Sequence, residues 1–299
     1  MKILLPTDGS EYSDAAANFL KRLNVSLQDE IVILHVISDD PLQDNEDYYY
    51  AKIREIKKSV APRILDSVAS NLKLLPARIS TVMASGFPDR CIVEAAGGMN
   101  ADLIVMGQKR LKGIESHIVG SVTKSVSITS PKPVLVIKPH ESEASDKLSI
   151  LFTTDGSDYA KKAGETLTLL PFNDNTEITV LHVIPPAFYD IPERFMENID
   201  SSIREDLKKY RSAELKESQQ ILAQAAEYLS RKFSSINSLS AMGDPSDEIL
   251  NAANELKSDM IVVGSKGMGG FRGVVESLSR YILSVAHCSV LIGKRENSI

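Results

Sequence analysis

The chain contains few cysteines, no tryptophan and no excess of positive charge. Its two cysteines, Cys91 and Cys288, are far apart and form neither a CxxC pair nor a Cys/His cluster. A disulfide framework and a zinc site are therefore not indicated, a reducing cytoplasm is the expected location, and both thiols are interpreted as small buried residues. The net charge of −6 gives no support to a nucleic-acid partner, because such partners are bound by basic surfaces.

Long hydrophobic runs are also missing. No apolar stretch approaches the roughly 18 residues of a membrane-spanning helix, and the opening MKILLPTDGS has too short an apolar run for a signal peptide. No membrane partner is expected. The composition, 43% hydrophobic and 25% charged, is ordinary for a globular protein, and 299 residues suffice for two domains.

An internal repeat is the strongest feature that is present. Four segment pairs recur at a spacing of about 150 residues, which indicates a duplicated domain and not a solenoid. The pairs are ILLPTDGSEYSDAA with ILFTTDGSDYAKKA, VILHVI with TVLHVI, ADLIVMG with SDMIVVG, and PVLVIK with SVLIGK. We predict one domain at 1–139 and a second at 148–299, joined by a polar linker at 140–147.

Apolar, β-branched runs alternate with helical patterns within each copy. This alternation predicts a doubly wound α/β domain with a parallel sheet, and its nearly continuous apolar runs are typical of strands covered on both faces. Pro62 should bend or split the second helix. In the first copy we predict strands at 2–6, 30–37, 77–84, 102–106 and 133–137, and helices at about 11–23, 47–74, 88–98 and 118–129.

Two segments follow predicted strands in both copies. Thr-Asp-Gly-Ser follows the first strand, and a glycine-rich segment leading into a helix follows the fourth. Ligands of doubly wound sheets bind at such strand ends, and glycines beside a helix N-terminus suit an anion. The same features also serve as ordinary turns and helix caps, so both interpretations stay open at this point. No P-loop and no dinucleotide fingerprint is present.

Taken together, these patterns closely resemble the universal stress proteins, twice over and across nearly the whole chain. The resemblance rests on a first strand ending in Asp-Gly-Ser, a second reading Leu-His-Val, a fourth reading Ile-Val-x-Gly, and a final Pro-Val-Leu-Val strand. It implies two repeated domains, each a five-stranded parallel sheet in the order 3-2-1-4-5 with helices on both faces. ATP-binding members carry Gly-x2-Gly-x9-Gly-Ser/Thr before the last strand, so the resemblance also implies an adenine nucleotide, with Mg²⁺ as a candidate companion.

The resemblance implies nucleotide-binding positions in each copy. Asp8 would lie beside the adenosine, the Val36 backbone beside the base, and Gly107 and the 120–122 segment around the phosphates. The first copy offers Pro6, Thr7, Asp8, Val36, Gly107, Lys109, Arg110, Gly120, Ser121 and Val122. The second offers Thr154, Asp155, Val183, Gly264, Lys266, Gly267 and Ser277.

Each copy departs from the family motif at a different place. Arg110 occupies the position of the second glycine in the first copy, while Glu276 replaces the third glycine in the second, where the spacing is also one residue short. A carboxylate about 4 Å from a phosphate costs roughly 4 kcal/mol at an effective dielectric near 20. We therefore predict that the first copy is the better phosphate binder.

The resemblance implies a stress-response protein that senses or sequesters ATP, ADP or AMP. The alternative is an interaction or scaffold protein of the same fold with vestigial sites. An enzyme is not expected beyond slow ATP hydrolysis, because the loops of related ATP pyrophosphatases and adenylylating proteins are absent. His35 and His182, which recur in the second strand, are interpreted as hydrogen-bonded core residues.

The final strands of the two copies, 133–138 and 289–294, are apolar edges that invite pairing. We therefore predict that the copies pack as an internal pseudo-dimer. Whether two chains associate further into a homodimer is left open by the sequence.

Overall fold

The computed structural model describes residues 1–38, 48–108, 119–138, 147–173, 175–185, 200–265 and 275–294. The first half, residues 1–138, alternates strands and helices: β1 Lys2–Thr7, α1 Glu11–Leu20, β2 Glu30–Ser38, α2 Tyr48–Leu72, β3 Arg78–Gly86, α3 Pro88–Gly98, β4 Leu103–Gly107, α4 Ser121–Thr129 and β5 Val134–Ile137. The second half, residues 147–294, repeats the pattern: β6 Ser149–Thr153, α5 Asp158–Leu169, β7 Glu177–Ile184, α6 Ser201–Leu229, β8 Ser235–Met242, α7 Pro245–Glu255, β9 Met260–Gly264, α8 Val275–Val285 and β10 Ser289–Gly293.

All these strands belong to one sheet of ten, in the order β3-β2-β1-β4-β5-β10-β9-β6-β7-β8. Within each half the pairs are parallel; Ile3 on β1, for example, lies beside Ile31 on β2 and Leu103 on β4. The predicted order 3-2-1-4-5 is therefore confirmed in both halves. The order reverses between β1 and β4 and between β6 and β9, which is where a doubly wound sheet binds its ligands.

The halves are joined through their last strands, which run antiparallel. Leu135 pairs with Leu291 at the centre of this contact, and both side chains are fully buried. The predicted contact between the two final strands is thus present. It removes two apolar edges that would otherwise be open to pairing with other chains.

Two lysines, one from each half, donate hydrogen bonds across this junction. Lys138, directly after β5, is 6% exposed and donates hydrogen bonds to the carbonyls of Leu283 (2.7 Å) and Ala286 (2.5 Å). Lys294, directly after β10, donates to the Ser127 carbonyl at 2.7 Å. Each ammonium therefore reaches the C-terminal end of a helix in the other half, where carbonyls lack intrahelical donors and the helix dipole is negative.

The core forms two layers, one on each face of the sheet. Successive residues of β1 alternate between them: Ile3 and Leu5 pack with α1 and α2, whereas Leu4 packs with α3 and α4. Each layer continues into the second half, so Ile150 joins the layer of Ile3 and Leu151 joins that of Leu4. Helices on both faces explain why the inner strands are apolar at nearly every position.

The outer strands and two single residues differ from the sequence-based expectations. The strands β3 and β8 are sheet edges with exposed side chains, 52% for Met83 and 45% for Met242, so the helices cover them less completely than the inner strands. Helix α2 is one helix from 48 to 72, so Pro62 does not split it. Cys288 is buried as expected, but Cys91 is only partly buried. Most of the predicted linker lies outside the described residues.

Candidate functional site

The turn after β1 is fixed by its own side chains. The Asp8 Oδ1 atom accepts hydrogen bonds from the amide (3.0 Å) and the hydroxyl (2.5 Å) of Ser10. Gly9 has φ of +75°, and a Cβ at that position would lie 3.2 Å from Ile64. The positive φ therefore favours glycine at this turn, and any larger residue would also press against the Ile64 side chain.

The Asp8 carboxylate is exposed at the strand edge and ionised at neutral pH. Partial burial alone would raise the pKa of this carboxyl. The hydrogen bonds from the side chain and backbone of Ser10 outweigh that effect and hold the pKa of Asp8 below its usual value. The group can accordingly accept hydrogen bonds from ligand hydroxyls across the physiological pH range.

The second half repeats this turn with one change. The Asp155 Oδ1 atom accepts from the Ser157 amide at 3.0 Å, and Gly156 has φ of +78° beside Ile221. The Ser157 hydroxyl caps helix α5 by accepting from the Ala160 amide at 3.2 Å. In the first half the Ser10 hydroxyl also donates to the Asp8 carboxylate, at 2.5 Å.

The end of β4 lies directly against the start of α1. A Cβ on Gly107 would be 1.9 Å from the carbonyl oxygen of Tyr12, so only glycine fits this approach. The Gly107 carbonyl also accepts a hydrogen bond from the Thr123 hydroxyl on α4 at 3.3 Å. The turn after β1, the end of β4 and the first turn of α4 are therefore held together at one edge of the sheet.

Helix α4 begins without a side-chain cap. Its N-cap residue is Gly120, which has no side chain that could cap the helix. Ser121, the first helical residue, is exposed. Helix α1, by comparison, is capped by the Ser10 hydroxyl, which accepts from the Ser13 amide. An uncapped helix N-terminus presents backbone N–H groups and a positive dipole end, the arrangement that binds phosphate in many proteins.

The end of β2 supplies the apolar side of the candidate site. Val36 and Val122 are partly buried and border the same apolar core layer. The neighbouring His35 ring is hydrogen-bonded through Nδ1 to the Thr7 carbonyl at 2.9 Å. Pro6, near the end of β1, is buried and lies beside Leu34 of β2. His35 thus ties β2 to β1 and is hydrogen-bonded as expected, but it is only partly buried and is not a core residue.

Several predicted positions in the second half show a different arrangement. Ser277 lies within helix α8, whereas the equivalent Ser121 is the first residue of α4. Gly264 is less tightly packed than Gly107, because its Cβ would lie 3.0 Å from Ala160. Thr154 is buried and Val183 partly buried at their strand ends. Lys109, Arg110, Lys266 and Gly267, and the side chains of Glu276 and Ser277, lie outside the described residues.

The second-half histidine is held in a different way from the first. The His182 Nδ1 atom lies 2.9 Å from the Ser218 hydroxyl, which lies 2.8 Å from the Ser240 hydroxyl. Burial lowers the pKa of His182 below 6.5, although the nearby Asp155 and Glu217 carboxylates act in the opposite direction. This chain of groups was missed by sequence reasoning because Ser218 and Ser240 stand in elements without a local motif.

The tyrosine contact with Gly107 was also missed, although the sequence contained a signal. Tyrosine recurs two residues after each Asp-Gly-Ser, as Tyr12 and Tyr159, and both backbones meet the glycine at the end of the fourth strand.

The described ranges contain no helix with the length and hydropathy of a membrane span and no group of three potential metal ligands.

A family model and several curated proteins match the chain. The family model described as "Universal stress protein family" matches residues 1–138 and again 148–294. A universal stress protein of Methanocaldococcus jannaschii is 32% identical over 143 residues, covering 48% of this chain and 84% of that protein. Universal stress protein YxiE of Bacillus subtilis is 30% identical over 153 residues, covering 48% and 96%.

A solved structure matches both halves together. The crystal structure of a universal stress protein from Archaeoglobus fulgidus covers 98% of this chain and 98% of its own, with a TM-score of 0.68 and 22% sequence identity. At this level of identity the match establishes the shared fold of the tandem chain.

Proposed function

We propose that this chain, which belongs to the universal stress protein family as a tandem member, binds an adenine nucleotide (ATP, ADP or AMP) in its first half. The observation that carries the proposal is the uncapped N-terminus of α4 at the same strand edge as the ionised Asp8. The N-terminus of α4 offers N–H donors for phosphate, and Asp8 offers a carboxylate for ribose hydroxyls.

Each described residue then has a definite role. Asp8 accepts hydrogen bonds from the ribose, the Val36 backbone lies beside the base, and the amides of Gly120, Ser121 and Val122 donate to phosphate oxygens. Lys109 and Arg110, which follow Gly107 in the sequence, would add positive charge near the phosphates. Mg²⁺ accompanying the nucleotide would be bound mainly through phosphate oxygens and water, as is usual for this ion.

The second half is proposed to be the weaker nucleotide binder. Its candidate positions are Thr154, Asp155, Val183, Gly264, Lys266, Gly267 and Ser277. In the sequence, the asymmetry rests on the residue that stands where the first half has Gly120, next to Ser277. Glu276, immediately before it, would repel phosphate.

Binding without dedicated catalysis fits the state of the histidines. His35 is hydrogen-bonded to a backbone carbonyl and His182 to a serine hydroxyl. In neither pair does the histidine contact a carboxylate that would orient it as a general base, among the hydrogen bonds of the described residues. We expect the function to be nucleotide sensing or sequestration in a stress response, with at most slow hydrolysis of ATP.

The experiment is a calorimetric titration of ATP, ADP and AMP into full-length wild-type protein and three variants. Gly120→Glu should weaken binding at least tenfold, because it places a carboxylate at the proposed phosphate site. Gly97→Glu is the matched control: it introduces the same side chain at an exposed position of α3 where a Cβ meets nothing within 4 Å. Glu276→Gly should add or strengthen a second, weaker binding event.

Three results would contradict the proposal. Binding that survives Gly120→Glu unchanged would place the nucleotide elsewhere, and equal losses in Gly97→Glu would indicate an unspecific charge effect. No binding of any of the three nucleotides to the wild-type chain would favour the scaffold alternative. Incubation of ATP with the protein, followed by chromatography of the products, tests the absence of dedicated catalysis.

A further inference from the structure

A chain of hydroxyl groups links the end of β1 and the first turn of α1 to Asp8. The Thr7 hydroxyl donates to the Ser13 Oγ atom at 3.0 Å, and the Ser13 hydroxyl donates to the Ser10 carbonyl at 2.8 Å. The Ser10 hydroxyl in turn donates to the Asp8 Oδ1 atom at 2.5 Å. Thr7 and Ser13 are buried, so the chain of hydroxyls starts inside the fold and ends at the exposed carboxylate.

Ser10 is the residue on which these hydrogen bonds converge. Its carbonyl accepts from the Asp14 amide at 3.0 Å in addition to the Ser13 hydroxyl, and its Oγ atom accepts from the Ser13 amide at 3.4 Å. Its amide and its hydroxyl both donate to the same carboxylate oxygen, Asp8 Oδ1. A fixed Ser10 therefore fixes the rotation of the Asp8 carboxylate, and it leaves the Oδ2 atom for other donors.

Ser13 is the member of this network that differs between the halves. Its equivalent is the buried Ala160, which has no hydroxyl group. The turn nevertheless forms there, because the Gly156 amide donates to the Thr154 hydroxyl at 3.2 Å and the Ser157 hydroxyl caps α5. Alanine is also the better helix former of the two residues. The second half thus shows that neither the turn nor the helix requires the Ser13 hydroxyl.

Ser13 also lies where α1 meets the end of β4. A Cβ on Gly107 would be 3.0 Å from the Ser13 amide, so the two backbones are in close contact. The Gly107 carbonyl accepts from the Thr123 hydroxyl of α4. The network therefore connects Asp8 to the elements that carry the proposed phosphate-binding N-terminus of α4.

We propose that Ser13 is a positioning residue, which fixes the Asp8 carboxylate for hydrogen bonds from ribose hydroxyls and makes the first-half site selective for ribonucleotides. This inference rests on the proposed nucleotide function and adds to it the residue that orients Asp8 and the feature of the ligand that Asp8 recognises. A carboxylate that is fixed before binding loses less conformational freedom when the ligand arrives, so its hydrogen bonds contribute more to the affinity.

The test is a double-mutant cycle in the full-length chain. Each variant is titrated calorimetrically with ATP and with 2′,3′-dideoxy-ATP, which lacks both ribose hydroxyls. Asp8→Ala should weaken ATP binding about tenfold or more, the size expected for hydrogen bonds to a charged group. Ser13→Ala should weaken ATP binding about threefold, leave the binding of dideoxy-ATP unchanged, and add no loss in the Asp8→Ala background. Ala160 at the equivalent position indicates that the Ser13→Ala chain folds.

Ser130→Ala is the matched control. Ser130 is equally buried, and its hydroxyl donates to the Lys132 carbonyl at 2.9 Å and accepts from the Lys132 amide at 3.0 Å. It follows the last residue of α4, at the opposite end of that helix from Gly120. This substitution also removes a buried hydroxyl and its hydrogen bonds, and it should leave the affinity for both nucleotides unchanged.

A second measurement needs no nucleotide. Burial raises the pKa of Asp8, whereas hydrogen bonds from Ser10 and Ser13 lower it and prevail. Titration of the Asp8 carboxyl by ¹³C NMR in the ligand-free chain should therefore show a higher pKa in Ser13→Ala than in the wild type. Ser130→Ala should show the wild-type value.

The outcomes separate this proposal from the proposed function. If the wild-type chain binds no ATP, the proposed function fails and the ribose selectivity fails with it. If ATP binds, the positioning role alone is overturned when Ser13→Ala weakens ATP and dideoxy-ATP equally, or when its loss adds in full to that of Asp8→Ala. An unchanged pKa of Asp8 in Ser13→Ala also overturns it. A loss confined to ATP, absent from the Asp8→Ala background and accompanied by a raised pKa of Asp8, supports it.

Discussion

Replacing Lys138 with methionine should weaken the junction between the two halves. The Lys138 ammonium is buried and donates to two carbonyls at the end of α8, at 2.7 and 2.5 Å. Methionine retains most of the apolar stem but leaves both carbonyls without this donor. Hydrogen bonds to charged groups contribute about 1.5–3 kcal/mol each, and part of this is recovered because the ammonium no longer has to be desolvated. We expect a net loss of about 3 kcal/mol in the free energy of unfolding.

Lys294 provides the matched control, since it occupies the pseudo-symmetric position after β10. Its side chain is partly exposed, and its second hydrogen bond is longer, 3.3 Å to the Ile128 carbonyl. Partly exposed charges near a helix C-terminus contribute about 0.3–1 kcal/mol. Lys294→Met should therefore cost about 1 kcal/mol, roughly a third of the cost of Lys138→Met.

The assay is urea unfolding followed by circular dichroism. Because the chain contains two halves, the transition is also checked for a second phase, and Lys138→Met is expected to separate the unfolding of the two halves. Equal losses for the two variants, or a loss under about 0.5 kcal/mol for Lys138→Met, would refute the reasoning that burial determines the difference.

Three further predictions concern local geometry and pH. Gly107→Ala should cost about 3 kcal/mol of stability, and more than Gly264→Ala, because its Cβ would lie 1.9 Å from a backbone oxygen compared with 3.0 Å; thermal unfolding of both variants tests this. Gly97→Ala, in open space on α3, should instead stabilise the chain by about 0.5 kcal/mol in the same assay. Because the pKa of His182 is depressed, the contribution of this group to the free energy of unfolding is fully present above pH 6.5 and is lost as the pH falls further. His182→Gln should flatten that loss in urea titrations between about pH 6.5 and 5, and an unchanged slope would contradict the assignment.

The inner strands could be predicted from the sequence because strands that are buried on both faces consist almost entirely of apolar residues. The β1, β2, β4 and β5 segments are apolar at nearly every position, since helices cover both faces of the sheet. The exposure of β3 and β8 could not be predicted in the same way. Their position at the edge depends on the strand order, which the family resemblance implied and the local pattern did not.

The two junction lysines show why contacts between the halves could not be predicted from the sequence. Lys138 and Lys294 follow apolar strands, and such residues ordinarily mark the return of the chain to solvent. Only the antiparallel pairing of β5 with β10 brings each beneath a helix of the other half. The candidate turns at Asp8 and Asp155 lay within local motifs and were accessible to sequence analysis, whereas contacts made across the junction were not.

The similarity of the two halves in sequence does not extend to the residues that matter most for the proposed function. The two halves share strands, turns and order, yet they diverge where a phosphate would be met. The first half has Gly120 as the N-cap residue of α4, and its Gln108 is buried. The second half carries Glu276 in the equivalent helix, and Ser265, which is partly buried, stands at the position equivalent to Gln108. Duplication thus supplies two copies of one fold, which differ in single side chains at the positions where we propose that a phosphate binds.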